Sequence, residues 1–312
     1  MKNKSLIIGI VVILLIAAGV TIPKFIGANN KVASESITIT HELGETQVNT
    51  LPEKVVVFDF GILDALDKLG VNVIGVAQDS LPEYLNKYAS EEYSNIGTLK
   101  EPNMEKIFEL QPDLIIISGR QADYYEELNK IAPTIHLGID NKDYIGSFKN
   151  NMNTLAQIFA KEKEVNENVE EIEKSIAELN EKITSKNING LIALANDGAF
   201  SVYGQESRFG IIHNEFGVIP VDTTIDTATH GQKASFEYVV EKNPQYLFVV
   251  DRAAVAGGNT SAKELFENEL MKKTDAYKNG NIVYLTPDVW YTAIGGFTST
   301  MTMIEEVDAA IK

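Results

Sequence analysis

The apolar positions of this chain fall into three regimes. Over residues 6–20 they are continuous and uncharged, directly after Lys2 and Lys4, which is the charged start and apolar body of an export signal. The run extends through Thr21 and Ile22 to Pro23 and approaches the roughly 20 residues that cross a bilayer, so residues 1–22 fit both a cleaved signal and a retained anchor. Residues 23–36 (PKFIGANNKVASES) have no period and predict a flexible tether. From Ile37 onward short strand-like runs alternate with helical stripes. Residues 54–59, 71–76, 113–118 and 134–137 predict strands, with helices over 62–69, 104–110 and 124–131 between them.

Two longer stripes follow. Residues 147–159 place Phe148, Met152, Leu155 and Phe159 on one helical face. Residues 161–186 carry Val165, Val169, Ile172, Ile176, Leu179 and Ile183 in a heavily charged segment, a narrow stripe that suits a rod laid across two bodies better than a core helix. After Asn189 the alternation resumes, with strands over 191–195, 200–203, 247–250 and 282–285. The expected fold class is α/β: two βα lobes, 37–160 and 187–312, bridged by a single long helix at 161–186.

An internal repeat sharpens this picture. MEKIFELQPDLIIISGR (104–120) and FEYVVEKNPQYLFVVDR (236–252) match in register, pairing Glu105 with Glu237, Pro112 with Pro244 and Arg120 with Arg252. Each copy is a short amphipathic helix, a proline, an apolar strand, and an arginine at the strand's carboxyl end, where open α/β sheets bind ligands. Arginine is otherwise scarce. The chain has 27 basic residues, and Arg120, Arg208 and Arg252 are its only arginines. A chain that uses lysine for ordinary charge and reserves guanidinium for three places needs a rigid, permanently charged fork, which points to an oxygen-rich anion.

The net charge of −17 argues against nucleic acid and requires any anion to be held by a local positive pocket. With no cysteine, disulfides, thiolate nucleophiles and thiolate metal sites are excluded. No P-loop, GxGxxG turn, GxSxG elbow or HExxH motif occurs; HELGE at 41–45 lacks the second histidine, and the remaining histidines, His136, His213 and His230, form no close pair in sequence. An exported enzyme is therefore the weaker class, and a binding protein without a cofactor of its own the stronger.

With these features the chain resembles the substrate-binding proteins of ABC importers for iron siderophores, haem and cobalamin, whose class III periplasmic-binding-protein fold has two α/β lobes bridged by one helix. The likeness runs from Ile37 to Lys312. VVVFDFGILDALDKLG, GTLKEPNMEKIFELQPDLIIISGRQ, ANDGAFSVYGQESRFGIIH, THGQKASFEYV, VDR and DVWY are similar to the catecholate-siderophore binders of Gram-positive bacteria, petrobactin type. The resemblance implies that Arg120, Arg208 and Arg252 converge on a ferric catecholate and that Lys100 in GTLKEP adds a further basic group. It implies pocket positions for His230 in THGQ and Tyr291 in DVWY. Both are candidate direct Fe³⁺ ligands, imidazole nitrogen and phenolate oxygen each suiting iron. Trp290, the one tryptophan, is a further candidate lining residue. Glu105 and Glu237 match the carboxylates that dock such proteins on a permease dimer, which works with its ATPase. The expected protein is monomeric, extracytoplasmic and membrane-associated through its N-terminal segment. Haem or another metal chelate on the same fold is the alternative ligand. One departure is plain: Gram-positive members usually carry a lipid on a cysteine after the signal, and this chain has none.

Overall fold

The computed structural model describes residues 35–226 and 230–312, so the expected export segment at 1–22 lies outside the described residues, as does nearly all of the expected tether. Among the described residues no helix is long and apolar enough to cross a membrane. Of residues 23–36 only Glu35 and Ser36 are described, and Ser36 already opens β1 (Ser36–His41), pairing with Asn49 at the end of β2 (Gly44–Asn49). This antiparallel hairpin turns at the HELGE segment and buries Ile39, Thr46 and Val48. It docks on the sheet behind it through Thr46, whose hydroxyl donates to the Thr134 carbonyl at 2.8 Å.

Five parallel strands make the first sheet: β3 (Val55–Val57), β4 (Gly75–Val76), β5 (Ser94–Asn95), β6 (Leu114–Ile117) and β7 (Thr134–His136), in the order β5-β4-β3-β6-β7. Every residue of β3, β6 and β7 is buried, as a parallel sheet covered on both faces requires. The second sheet holds β8 (Asn189–Asn196), β9 (Ala199–Tyr203), β10 (Ile219–Pro220), β11 (Gln232–Lys233), β12 (Tyr246–Asp251) and β13 (Ile282–Leu285). Its order is β11-β9-β8-β12-β13, with β10 beside the start of β8; β10, β8, β12 and β13 run parallel, and β9 pairs antiparallel with both β8 and β11. Alternation divides β8 and β12 between two cores. Leu191, Ala193, Leu247 and Val249 face one; Ile192, Leu194, Phe248 and Val250 face the other, which is continuous with the core of the first sheet. Both sheets belong to one compact unit.

The two repeat copies fold alike. Helices Met104–Leu110 and Phe236–Lys242 are capped by Asn103 and Ser235, whose side chains accept from the amides of Lys106 and Tyr238. Each ends on a left-handed residue, Gln111 (φ 48°) and Asn243 (φ 42°), directly before the proline that cannot continue the helix. The chain then enters β6 or β12, and the arginine emerges at the carboxyl end.

The bridging helix spans Glu162–Ser185, with all six residues of its apolar stripe buried. It packs against helices Tyr144–Phe159 and Phe297–Ala310. The last of these departs from the expected lobe boundary: although it follows residue 187, it packs on helix Phe60–Lys68 beside the first sheet. The reason is electrostatic. Asp64, 1% exposed, accepts from the amides of Thr298 (3.1 Å) and Ser299 (2.7 Å), capping the final helix from the opposite half of the molecule. The approach is close enough that a β-carbon on Gly61 would fall 2.1 Å from the Ile294 carbonyl oxygen.

Three histidines make stability depend on pH. Burial pushes the His41, His136 and His213 imidazoles below their ordinary value of 6.5; the His136 charge adds to the effect at His41, and Glu42 opposes it at His136. The unfolded chain takes up these protons near 6.5 while the folded chain resists. Stability is therefore full above about 6.5 and is lost as pH falls through that value toward the lower folded-state values. Urea unfolding at pH 7.5 and 5.5 should show a loss on the order of 1–3 kcal/mol at the lower pH. Equal stability at both would contradict the assignment.

Candidate functional site

Arg120 lies in the tight turn Gly119–Tyr124 after β6, and Arg252 opens the short helix Arg252–Ala256 after β12. Arg208 sits in the loop between β9 and helix Ile211–Asn214. Tyr291 sits in helix Pro287–Thr292 after β13, and the three guanidiniums meet on it. Arg120 Nη2 and Arg208 Nη2 both donate to its main-chain carbonyl, at 2.8 and 2.6 Å, and Arg252 Nε donates to its hydroxyl at 2.9 Å. The Arg208 guanidinium stands 4.4 Å from the centre of the Tyr291 ring and that of Arg252 5.7 Å. Asn196 holds Arg252 from the far side, accepting from Nη1 at 2.7 Å.

What these arginines lack is a carboxylate. Among the described residues the ion pairs are made by lysine or histidine, and none by an arginine. Burial, and then the nearby Arg120 charge, lowers the Arg208 guanidinium to about 10, and its buried Nε has no hydrogen-bond partner. Burial alone would raise the Tyr291 phenol. The hydrogen bond from Arg252 and the charges of Arg252, Arg208 and Arg120 outweigh it, and the phenol is pulled below its usual range. The arrangement is thus a ready-made electropositive nest around a tyrosine whose phenol is more acidic than usual.

The nest separates two cavities. On one side Lys100, exposed, joins Arg120, Arg252 and Tyr291 around about 440 Å³. On the other, Arg120 and Arg208 line about 390 Å³ with Asp59, Asn141 and Asn151. The structure therefore brings together Arg120, Arg208, Arg252, Lys100 and Tyr291. His230 stands apart: it is exposed in the turn before β11, and it lines neither cavity. Its neighbour Gly231 abuts the Tyr203 ring, and Tyr203 feels the Arg208 and Arg252 charges. Among the described residues no group of three or more acidic or histidine side chains is arranged to hold a metal.

Trp290 corrects an expectation. It is fully buried and donates Nε1 to Glu306 at 2.7 Å in the final helix, so it does not line the cleft. Its role is to anchor the helix that presents Tyr291. Two contributors escaped the reading of single residues, Asn196 and Tyr203. Both lie in the ANDGAFSVYGQESRFGIIH block, so the signal was the block itself. Glu105 and Glu237 occupy equivalent places in the first turns of the repeat helices, exposed to solvent, with Phe108 67% exposed one turn beyond Glu105.

A family model described as periplasmic binding protein matches residues 55–289. The petrobactin-binding protein YclQ of Bacillus subtilis is 47% identical over 277 residues, covering 88% of this chain and 87% of that one. Its crystal structure superposes with a TM-score of 0.87 at 46% identity, covering 89% of this chain and 99% of that chain. The periplasmic catecholate-siderophore binding protein VctP of Vibrio cholerae superposes with a TM-score of 0.84 at 36% identity, covering 88% of this chain and 100% of that chain.

Proposed function

Since the chain belongs to the periplasmic binding protein family, we propose that it captures a ferric catecholate siderophore at the arginine nest and delivers it to an ABC importer outside the cytoplasm. One observation carries the reading: three guanidiniums without carboxylate partners converge on a single tyrosine. A ferric tris-catecholate is a trianion, and each ion pair at 4 Å is worth about 1 kcal/mol in water but about 4 at the effective dielectric of a protein cleft. A ferric tris-hydroxamate is neutral and gains none of this. Arginine suits the task better than lysine because its planar fork meets two catecholate oxygens and stacks on the ring. For a bis-catecholate, which leaves two positions on iron open, the lowered Tyr291 phenol supports a phenolate ligand; His230, exposed and lining neither cavity, has no such support. Capture and hand-over draw on binding free energy alone, and we assign the protein no chemical step.

Calorimetric titration with ferric tris- and bis-catecholates, against ferric hydroxamate and haem, tests the proposal. Saturable binding of a catecholate complex with no response to hydroxamate is expected. An equal response to hydroxamate, or none to any catecholate, would remove it.

Delivery is assigned to Glu105 and Glu237, one exposed carboxylate in each repeat helix, which suit a partner built from two similar halves. Hydrogen bonds from the helix amide and from Ser235 hold the Glu237 carboxyl below its ordinary value, so it is charged at neutral pH. Glu105→Lys with Glu237→Lys should abolish uptake into cells and leave ligand affinity unchanged. Loss of affinity instead would place these residues in the binding site and refute docking.

A further inference from the structure

The two repeat helices carry more on their outer faces than one carboxylate each. Residues three and four apart on a helix share a face, so Glu105, Phe108 and Glu109 stand together in Met104–Leu110, and Glu237, Val240 and Glu241 in Phe236–Lys242. The order is the same in both copies: a carboxylate, an apolar side chain, a second carboxylate. All four glutamates are exposed. Among the described residues Glu105, Glu237 and Glu241 form no ion pair, and Glu109 pairs with Lys106 at 3.3 Å. The apolar members differ. Val240 is half-buried, whereas Phe108 is 67% exposed, more than any other large apolar side chain among the described residues. Met104 and Leu110 of the same helix pack on the main core and Phe108 does not. A lone exposed phenylalanine is ordinary. One framed by carboxylates, at a place that a repeat fills twice with an apolar residue, has the anatomy of an interface anchor, an aromatic centre inside a polar rim.

We propose that Phe108 is the apolar anchor of the contact with the permease, entering a pocket of that partner whose rim carries basic side chains to meet Glu105 and Glu109. The inference rests on the reading of Glu105 and Glu237 as docking carboxylates and adds that the two contacts are unequal: the Phe108 side supplies apolar burial as well as charge, the Val240 side chiefly charge. The carboxylates favour this occupant over two others. A second copy of the chain, at a net charge of −17, would bring an acidic surface against an acidic rim. A bilayer of anionic lipid would repel the same rim.

The test compares Phe108→Ser, Phe108→Leu, Val240→Ser and the double reversal Glu105→Lys with Glu237→Lys in cells where each variant replaces the unaltered chain at equal surface level. Uptake of a radiolabelled ferric tris-catecholate is measured at low ligand concentration, and affinity by calorimetry on the purified chains. Phe108→Ser should lower uptake by about 10- to 30-fold, the cost of truncating an aromatic anchor, with affinity for the complex unchanged. Phe108→Leu should restore most of the uptake, and Val240→Ser should change it little. Truncating a side chain that stands mostly in water leaves no cavity, and circular dichroism checks that the fold is intact. Full uptake by Phe108→Ser, beside loss of uptake in the glutamate reversals, would overturn the anchor and leave docking standing. Full uptake by the reversals would remove the docking reading itself. Two further outcomes would also overturn the anchor. Sedimentation showing a dimer that Phe108→Ser dissolves would assign the side chain to a second copy, and flotation with phosphatidylglycerol vesicles that the same variant loses would assign it to the membrane.

Discussion

Replacing Arg208 with methionine should weaken binding of a ferric tris-catecholate by about 10- to 100-fold while leaving the empty protein as stable as before or more so. The two halves of this expectation have separate origins. Affinity falls because a charge-assisted hydrogen bond in a partly desolvated site is worth about 1.5–3 kcal/mol, which converts to that factor. Stability does not fall with it, because in the empty protein this guanidinium is a burden. Burial and the Arg120 charge lower its pKa, its Nε is buried without a partner, and no carboxylate compensates it. Methionine keeps the length of the side chain against Phe209 and Tyr291 and removes the charge. Calorimetry for affinity and urea unfolding for stability make the comparison. A substitution that reduced both together would make Arg208 a structural residue and undo the assignment of the nest. Arg120→Met and Arg252→Met should follow the same pattern less strongly, since neither has a buried nitrogen without a partner.

Asp64→Ala should cost about 2–4 kcal/mol of stability and act on the joint between the halves. Its carboxylate is the cap of the final helix, taking two amides that have no other partner at that helix end. Unsatisfied buried amides cost about 1–3 kcal/mol each. Part of that loss is returned, because burial raises the Asp64 pKa against the lowering effect of the Ser299 and Thr298 hydrogen bonds, so the ionised group is itself costly to hold there. Urea unfolding measures the loss, and protection of the Thr298 and Ser299 amides from hydrogen exchange locates it. Unchanged protection would show that something else caps the helix.

Much of this architecture was legible in the chain because it rests on local periodicity. The helix Met104–Leu110 and the strand Ile282–Leu285 fall where their patterns place them, and the stripe from Val165 to Ile183 is buried along its whole length. The repeat was informative for a physical reason. A capped helix, a left-handed residue, a proline and an apolar strand each constrain only their neighbours, so two matching strings fold alike and deliver two arginines to equivalent strand ends. The hairpin at β1 and β2 was not anticipated, because its strands are only half covered and their alternation is a weak signal.

Other features depended on distance in sequence. Trp290 and Tyr291 are adjacent and both aromatic, and nothing local says which faces the arginines. A glutamate in the final helix settles it by drawing the indole inward. The placement of helix Phe297–Ala310 follows from Asp64, more than 200 residues earlier. The scarcity of arginine predicted an anion, but the carbonyl that gathers two guanidiniums belongs to the backbone, which every residue has and no sequence distinguishes. Periodicity and composition thus specified the elements and the chemistry on offer, since both are properties of neighbours along the chain. Which groups share a cavity and which are left without a partner arose only from packing, because those are properties of neighbours in space.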